Sequence, residues 1–339
     1  MRIKFLFDLS SFPVSLSHLL NATSTFHLFN LTMRIGTGDL LRSAYGRYAV
    51  GAFNVSNLEQ IHGLFRGAAK AKAPVIAQFT RVMRDYAHPV MLEQLLRGAE
   101  AIYTEVQFAV HHDHGDQASC AEAIASGNYS SVMIDASHLS FEQNIAVTSK
   151  VVAMAHNKGI AVEAELGQLK GVEDEMVHEV KEAILTDAAQ AEEFVERTRC
   201  DSLAVAIGTS HGAYKFAGKQ RLHLDRLAEI QRRLAGFPLV LHGGSAVSLE
   251  EVARINNSGG TIDSSASGVS QSELAEAIRF GVTKVNIGTD GRLLWTRVHR
   301  EFFRERPGEF DFMIPGRTYM DEYAAFVEKK CLQLGATAA

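Results

Sequence analysis

Residues 106–113 read VQFAVHHD, a largely apolar run that ends in polar side chains. Runs of this length that are almost continuously apolar are typical of parallel strands buried on both faces. Eight such runs recur along the chain: AVGAFN (49–54), VIAQFT (75–80), VQFAVHHD (106–113), SVMIDAS (131–137), AVEAELG (161–167), SLAVAIG (202–208), PLVLHG (238–243) and KVNIGT (284–289). We therefore predict eight strands of a parallel sheet.

Helical patterns separate these runs. In NLEQIHGLFRGAAKA (57–71) the apolar residues recur at helical spacing and form one stripe. Asp187 is a candidate N-cap for the helix AAQAEEFVERT (188–198). Eight strands, each followed by a helix, over about 250 residues predict the α/β class and a (β/α)8 TIM barrel. The alternative is a doubly wound open sheet, which the eight repeats and the lack of G-x-G-x-x-G after the first strand disfavour.

The first 32 residues differ from the rest of the chain, because they are apolar and rich in Ser and Thr. Asp8 and Pro13 interrupt the apolar segment, which has no clear small-residue cleavage site and falls short of the ~18 apolar residues of a membrane helix. A secretory signal is the alternative. We expect residues 1–32 to be a dispensable N-terminal extension, and residues 33–339 to form a single barrel domain with C-terminal helices.

The composition excludes several classes of protein. The 339 residues carry 34 Lys+Arg and 39 Asp+Glu, a net charge of −5, and 46% of them are hydrophobic, unlike a disordered or collagen-like chain. Mild acidity without a polybasic stretch predicts neither a nucleic-acid nor a membrane partner. The three cysteines are widely spaced and form neither a disulfide framework nor a CxxC pair. We therefore expect a reducing compartment, the cytoplasm.

Polar residues cluster at the C-terminal ends of the apolar runs, where barrel active sites are built. They are Asn54, Thr80, Asp113, His114, Asp135, Glu165, His211, His242 and Asn286. Three of them are histidines that follow the third, sixth and seventh predicted strands, so closure of a barrel brings them to one mouth. Three neutral imidazoles suit zinc or a similar ion and leave coordination positions open for substrate. His111 and His112 lie lower in the third strand, and we expect them to be structural.

Carboxylates accompany these histidines. Asp113 adjoins His114 and can reach a substrate on the metal without being a ligand, which is the position of a general acid or base. Glu165 is a candidate ligand of this metal or of a second ion, and Asp135 lies at the neighbouring strand end. Glu163 shares the parity of Glu165 and is a weaker candidate.

Two long connections, residues 168–186 and 256–272, are candidate lids or binding loops. Glu173 lies on the first of these connections. It is either a mobile catalytic carboxylate or a charge exposed to solvent, and the sequence favours neither. Three glycine-bearing segments place bare backbone amides beside the metal candidates: SHG (210–212), HGGS (242–245) and NIGT (286–289). Such backbone nests bind phosphate, although tight turns also use glycine. The features together indicate a metal-dependent enzyme that acts on a phosphorylated small molecule.

Seven segments carry a resemblance to a known family: GAFNV (51–55), HHDHGD (111–116), SVMIDASH (131–138), VEAELG (162–167), DSLAVAIGTSHGAYK (201–215), PLVLHGGS (238–245) and GVTKVNIGTD (281–290). They resemble the class II, zinc-dependent ketose-bisphosphate aldolases, most closely those acting on fructose 1,6-bisphosphate, with tagatose-1,6-bisphosphate aldolases as near relatives. The resemblance covers about residues 34–300 in order. It implies a (β/α)8 barrel and reversible cleavage of a ketose 1,6-bisphosphate to dihydroxyacetone phosphate and glyceraldehyde 3-phosphate through a zinc-stabilised enediolate.

The same resemblance implies roles for individual residues. Asp113 corresponds to the proton donor, and Glu173 to a loop glutamate that transfers a proton at the dihydroxyacetone carbon. The implied zinc ligands are His114, His211 and His242. A second or alternative metal position is implied for Asp135 and Glu165. The implied substrate contacts are Asn54, Thr80, Gly212, Gly243, Gly244, Ser245, Asn286, Ile287, Gly288 and Thr289. The family also implies a monovalent cation, Na⁺ or K⁺, near the phosphate, and a homodimer or homotetramer.

Three positions depart from the family pattern. His112 stands where Leu is usual and needs a partner if it faces the barrel interior. Lys170 stands where Gly is common, in the loop that carries Glu173. Gly288 makes the last run NIGTD where fructose-type members typically read NIDTD, which removes a carboxylate near the substrate. The preference between the fructose and tagatose configurations therefore stays open.

Other functions are weighed against this one. A Schiff-base aldolase needs a lysine at a strand end, and we expect none because Lys284 opens its strand. A metal-dependent hydrolase of the amidohydrolase type usually carries H-x-H at the end of the first strand, where this chain has Asn54. A non-catalytic metal-binding homologue is the remaining, remote alternative.

Overall fold

A computed structural model of the protein describes residues 34–168, 184–209, 221–263 and 268–337. Eight parallel strands pair in chain order, and the last pairs with the first to close a barrel. The strands are β1 (Val50–Asn54), β2 (Val75–Phe79), β3 (Phe108–Gly115), β4 (Ser131–Ile134), β5 (Ala161–Leu166), β6 (Ser202–Val205), β7 (Leu239–Leu241) and β8 (Val282–Ile287). The predicted (β/α)8 barrel is confirmed, and the open sheet is excluded.

Helices surround the barrel. They are α1 (Thr37–Ala44), α2 (Leu58–Ala71), α3 (Arg81–Ala87), α4 (Pro89–Ile102), α5 (Gln117–Ser126), α6 (Phe141–His156), α7 (Ala188–Thr198), α8 (Leu224–Arg233), α9 (Leu249–Asn257), α10 (Gln271–Arg279), α11 (Thr289–Glu305) and α12 (Met313–Gln333). Asp187 caps α7 as predicted, because its side chain accepts from the backbone amides of Ala189 and Gln190. None of the described helices is long and apolar enough to cross a membrane.

The two ends of the barrel differ in chemistry. At the N-terminal end, Leu40 and Leu41 of α1 pack against interior side chains of the strands, Val50, Ile76 and Ala109 among them. Helix α1 therefore closes this end with an apolar plug. The polar strand ends lie at the opposite, C-terminal end, which is where barrel enzymes build their sites.

Two predictions on chain organisation fare differently. The proposed extension, residues 1–32, lies outside the described residues, so its separate status stays a prediction. The expectation that Lys284 opens its strand is wrong, because β8 begins at Val282 and Lys284 is its third residue. Lys284 is fully buried and paired with Glu163 on β5, and this distant partner lets a charge occupy a strand interior.

Candidate active site

Asp113 and His114 are adjacent in sequence, yet both side chains reach the mouth of the barrel. On a regular strand, successive side chains point to opposite faces. Here the pairing of β3 with β4 shifts register between His112 and Gly115, and His114 adopts a left-handed φ of 46°. This bulge turns the imidazole inward, so that its Nδ1 lies 3.0 Å from Oδ2 of Asp135.

Metal-ligand atoms gather at this mouth in two overlapping groups. One consists of Asp113, His114 and His242, the other of His114, Asp135 and Glu165. Within each group the ligand atoms lie within 4.8 Å of one another. Imidazole nitrogens and carboxylate oxygens confined to so small a space are the donor set that zinc prefers. The third predicted histidine ligand, His211, lies outside the described residues.

The carboxylate of Asp113 is held between two amides. Asn54 donates to Oδ2 and Asn286 donates to Oδ1, each at 3.1 Å. Gln78 in turn donates to Oδ1 of Asn54 at 2.8 Å, which fixes the orientation of that amide. Burial tends to raise the pKa of Asp113, but its interactions with His114 and Lys284 outweigh burial and lower it. Asp113 is therefore ionised at neutral pH and positioned to accept a proton.

Asp135 is also held as a carboxylate. Burial opposes its ionisation, but hydrogen bonds from His114 and Ser137 prevail and lower its pKa to about 2. Ser137 contributes both its hydroxyl, at 2.7 Å from Oδ1, and its backbone amide, at 3.1 Å. Asp135 can therefore orient His114, bind a metal, or do both.

Two of the three predicted phosphate segments, 242–245 and 286–289, lie side by side, and the third, 210–212, lies outside the described residues. The backbone amide of Gly288 donates to Oγ of Ser245 at 3.3 Å, which joins the loop after β7 to the loop after β8. Gly243 has a left-handed φ of 65°, and a Cβ at Gly244 would collide with Val285. Helix α11 begins at Thr289, so its N-terminal amides border the same loops. Backbone amides and a helix N-terminus together favour an anion.

The remaining predicted substrate contacts separate into different environments. Thr80 is buried, and its hydroxyl caps α3 by accepting from the amide of Met83. Ile287 packs into the main hydrophobic core, so only its backbone can face a ligand. Asn54 and Asn286 contact Asp113, as described above. Gly212 and the loop residues Lys170 and Glu173 lie outside the described residues.

His112 faces away from the barrel interior. Its Nε2 lies 3.1 Å from Oγ of Ser119 on α5, and its ring packs edge-on against Tyr129. Burial lowers its pKa to about 4, so it is neutral at physiological pH. The polar side chain in place of the usual Leu is thus accommodated between strand and helix.

A polar layer that the sequence patterns do not predict as a unit lies beneath the mouth. Glu163 contacts three side chains: Lys284 Nζ at 2.9 Å, His242 Nε2 at 2.9 Å and His111 Nε2 at 3.7 Å. Burial and the nearby Lys284 lower the pKa of His111 to about 3. For Glu163, burial is outweighed by Lys284 and by the hydrogen bond from His242, which hold its pKa well below the usual range. Glu163, His111 and Lys284 each lie two residues before a polar residue of the mouth, namely Glu165, Asp113 and Asn286. Because side chains alternate along a strand, this spacing is the sequence signal for a second inward-facing layer.

Comparison with known proteins decides the family. The family model described as fructose-bisphosphate aldolase class-II matches residues 36–338. The chain belongs to this family. The resemblance read from the sequence motifs is thereby confirmed.

Relatives of this class II aldolase cover most of its length. A fructose-bisphosphate aldolase from Giardia intestinalis is 41% identical over 296 residues, which span 86% of this chain and 89% of that protein. One from Nostoc sp. is 41% identical over 309 residues, 84% of this chain and 85% of that protein. Among solved structures, the YdjI aldolase from Escherichia coli K12 matches with a TM-score of 0.70 and 27% identity, covering 90% of this chain and 98% of that one.

Proposed function

We propose that this protein is a zinc-dependent aldolase that reversibly cleaves fructose 1,6-bisphosphate to dihydroxyacetone phosphate and glyceraldehyde 3-phosphate. One observation carries the proposal: the ionised carboxylate of Asp113, held by two amides, shares a group of ligand atoms with His114 and His242. A proton acceptor beside a metal position is what retro-aldol cleavage requires. Membership of the family supports the substrate class.

The chemistry follows from these positions. Zinc, when bound, acts as a Lewis acid that polarises the ketose carbonyl. Asp113 removes the proton of the C4 hydroxyl, the C3–C4 bond breaks, and the aldehyde leaves. The electron pair of that bond passes to C3, which must then receive a proton. We assign this second transfer to Glu173, the residue to which the family resemblance gives that role.

His114, His211 and His242 are the proposed zinc ligands. Asp135 and Glu165 are proposed to hold a second or alternative divalent ion, which their grouping with His114 supports. The alternative role for Asp135 is to orient His114, because a carboxylate commonly accepts the second ring N–H of a metal-binding histidine.

The loops after β7 and β8 are proposed to bind a substrate phosphate. The left-handed Gly243, the close packing at Gly244 and the N-terminus of α11 support this assignment. We further propose that a monovalent cation binds beside that phosphate, that the protein is a homodimer or homotetramer, and that it is located in the cytoplasm. The division into an extension, residues 1–32, and a barrel domain, residues 33–339, is also a proposal.

A tagatose-type preference is the second candidate, favoured by Gly288. A Cβ at this position would lie 3.1 Å from Oδ1 of Asn54, the amide that holds Asp113. A side chain at residue 288 would therefore crowd the Asn54 amide, whose Nδ2 donates to Asp113. Its absence leaves room that a sugar of different configuration can use.

A reconstitution assay tests the function. The protein is stripped with a chelator, reloaded with zinc, and assayed by coupling dihydroxyacetone phosphate to an NADH-dependent reduction. We expect cleavage of fructose 1,6-bisphosphate to return with zinc and not with magnesium, which prefers oxygen ligands. Assaying tagatose 1,6-bisphosphate alongside decides between the two sugars. Zinc binding without cleavage of either substrate would support the non-catalytic alternative and refute the proposal.

A further inference from the structure

An ion pair is buried in the barrel interior directly beneath His242. Lys284 is 0% exposed and Glu163 is 2% exposed. The ammonium nitrogen lies 2.9 Å from Oε2 and 3.2 Å from Oε1 of the carboxylate, so it holds both oxygens. Removing two charges from water is costly, and barrel interiors are usually filled with branched apolar side chains. An ion pair at this depth calls for a function beyond packing.

The pair connects upward to the metal position. Oε1 of Glu163 lies 2.9 Å from Nε2 of His242. A carboxylate paired with an ammonium can only accept hydrogen bonds, so Nε2 of His242 carries a proton. A neutral imidazole protonated at Nε2 offers its lone pair at Nδ1. That nitrogen lies 3.6 Å from Oε2 of Glu165, on the side of the proposed metal ligands.

We propose that Lys284 and Glu163 are positioning residues for the metal site: Lys284 orients the Glu163 carboxylate, Glu163 sets the tautomer and rotation of His242, and His242 binds zinc through Nδ1. The inference rests on the proposed zinc site and adds residues that do not touch the metal themselves. Outer carboxylates of this kind orient histidine ligands in zinc proteins and affect metal affinity strongly.

The other neighbours of Glu163 do not supply this orientation. Nε2 of His111 lies 3.7 Å from Oε2, beyond hydrogen-bonding distance, and Nδ1 of His111 pairs instead with the hydroxyl of Ser131 at 2.7 Å. Apart from His242 itself, the ammonium of Lys284, at 2.9 Å, is therefore the closest side-chain contact of the Glu163 carboxylate among the described residues. The same pairing disfavours a Schiff-base role for Lys284, because a lysine held as ammonium has no lone pair to attack a carbonyl.

Zinc affinity of variants tests the positioning role. The metal-free protein is titrated with zinc against a chromogenic chelator, for the unaltered chain, Glu163→Gln and Lys284→Met. We expect the dissociation constant to rise about 10- to 100-fold in both variants, the range seen when outer-sphere partners are removed. Thr283→Val is the matched control, because Thr283 is buried beside Lys284 and its hydroxyl donates to the Leu239 carbonyl rather than to Glu163. Its zinc affinity should not change.

A double variant separates positioning from folding. Glu163→Leu combined with Lys284→Met removes both charges together. Replacing a buried ion pair with apolar side chains often leaves the free energy of unfolding unchanged or raises it. Zinc binding should stay weak in this variant even if its unfolding midpoint equals that of the unaltered protein. Recovery of zinc affinity together with stability would show that the pair is only structural and would overturn the inference.

Nitrogen NMR of the unaltered, zinc-loaded protein requires no variant at all. We expect the His242 ring to show a protonated Nε2 and a metal-bound Nδ1. Zinc bound through Nε2 of His242 would refute the inference while leaving the proposed aldolase intact. Failure of the unaltered protein to bind zinc would instead refute the proposed function.

Discussion

Replacing Asp113 with Asn changes the charge of the proposed proton acceptor and almost nothing else. The two oxygens of Asp113 each accept one amide hydrogen, from Asn54 and from Asn286. In Asp113→Asn, one of these oxygens becomes an NH₂ group. This group would face the NH₂ group of Asn54 or Asn286 unless that neighbouring amide flips. Asn54 resists a flip because Gln78 donates to its oxygen at 2.8 Å.

Asn286 can flip at little cost. Its Oδ1 has no hydrogen-bond partner within the described part of the chain, so turning it toward the new NH₂ group breaks no bond there. The free energy of unfolding should therefore change by no more than about 1 kcal/mol. The turnover number, in contrast, should fall about 100- to 10,000-fold, because a neutral amide cannot accept the C4 hydroxyl proton.

Three measurements on the same preparation check this prediction: zinc content, the denaturant midpoint, and kcat for fructose 1,6-bisphosphate. Asp113→Leu serves as the comparison, because it leaves the amides of Asn54 and Asn286 unsatisfied and should cost about 1–3 kcal/mol for each. If Asp113→Asn binds zinc at normal stoichiometry and keeps its activity within tenfold, Asp113 is not the proton acceptor.

Three further perturbations have defined outcomes. Gly288→Asp places a carboxylate near Asn54 and should change the ratio of kcat/KM for fructose to that for tagatose 1,6-bisphosphate; an unchanged ratio would show that residue 288 does not select the sugar. Arg297→Met removes a buried guanidinium that pairs with Glu251 at 2.7 Å and Glu301 at 3.0 Å, and urea unfolding should register a loss of about 3 kcal/mol. If the free energy of unfolding measured with urea falls by less than about 0.5 kcal/mol, these ion pairs contribute little to stability. Zinc at about 100 times its dissociation constant should stabilise the metal-free protein by about 2.7 kcal/mol in thermal unfolding. The same zinc should leave His242→Ala nearly unshifted; an equal shift there would place the metal elsewhere.

The barrel could be predicted because its signal is local. Each strand is a short apolar run, and polar side chains follow the runs at the end where a parallel barrel builds its site. Their place at strand ends predicts Asp113 and His242 as candidate site residues. These predictions depend only on the local sequence. They require neither the pairing of the strands nor the register between them.

Features that depend on register or on distant partners could not be predicted. Alternation along β3 would separate Asp113 and His114, and only the bulge after His112 brings both to the mouth. The sequence pattern predicts that Lys284 opens its strand, whereas Lys284 is the third residue of β8. Its partner, Glu163, lies 121 positions away in the sequence, and no local pattern reveals the pairing.

Anomalous diffraction at the zinc edge, from crystals soaked with zinc and dihydroxyacetone phosphate, tests the proposed site most directly. We expect a strong zinc peak about 2.0–2.1 Å from a ring nitrogen of His114 and from Nδ1 of His242, with Asp113 facing the bound ketose. The absence of a zinc peak at His114 and His242, or a ketose bound with Asp113 turned away from it, would contradict the proposed mechanism.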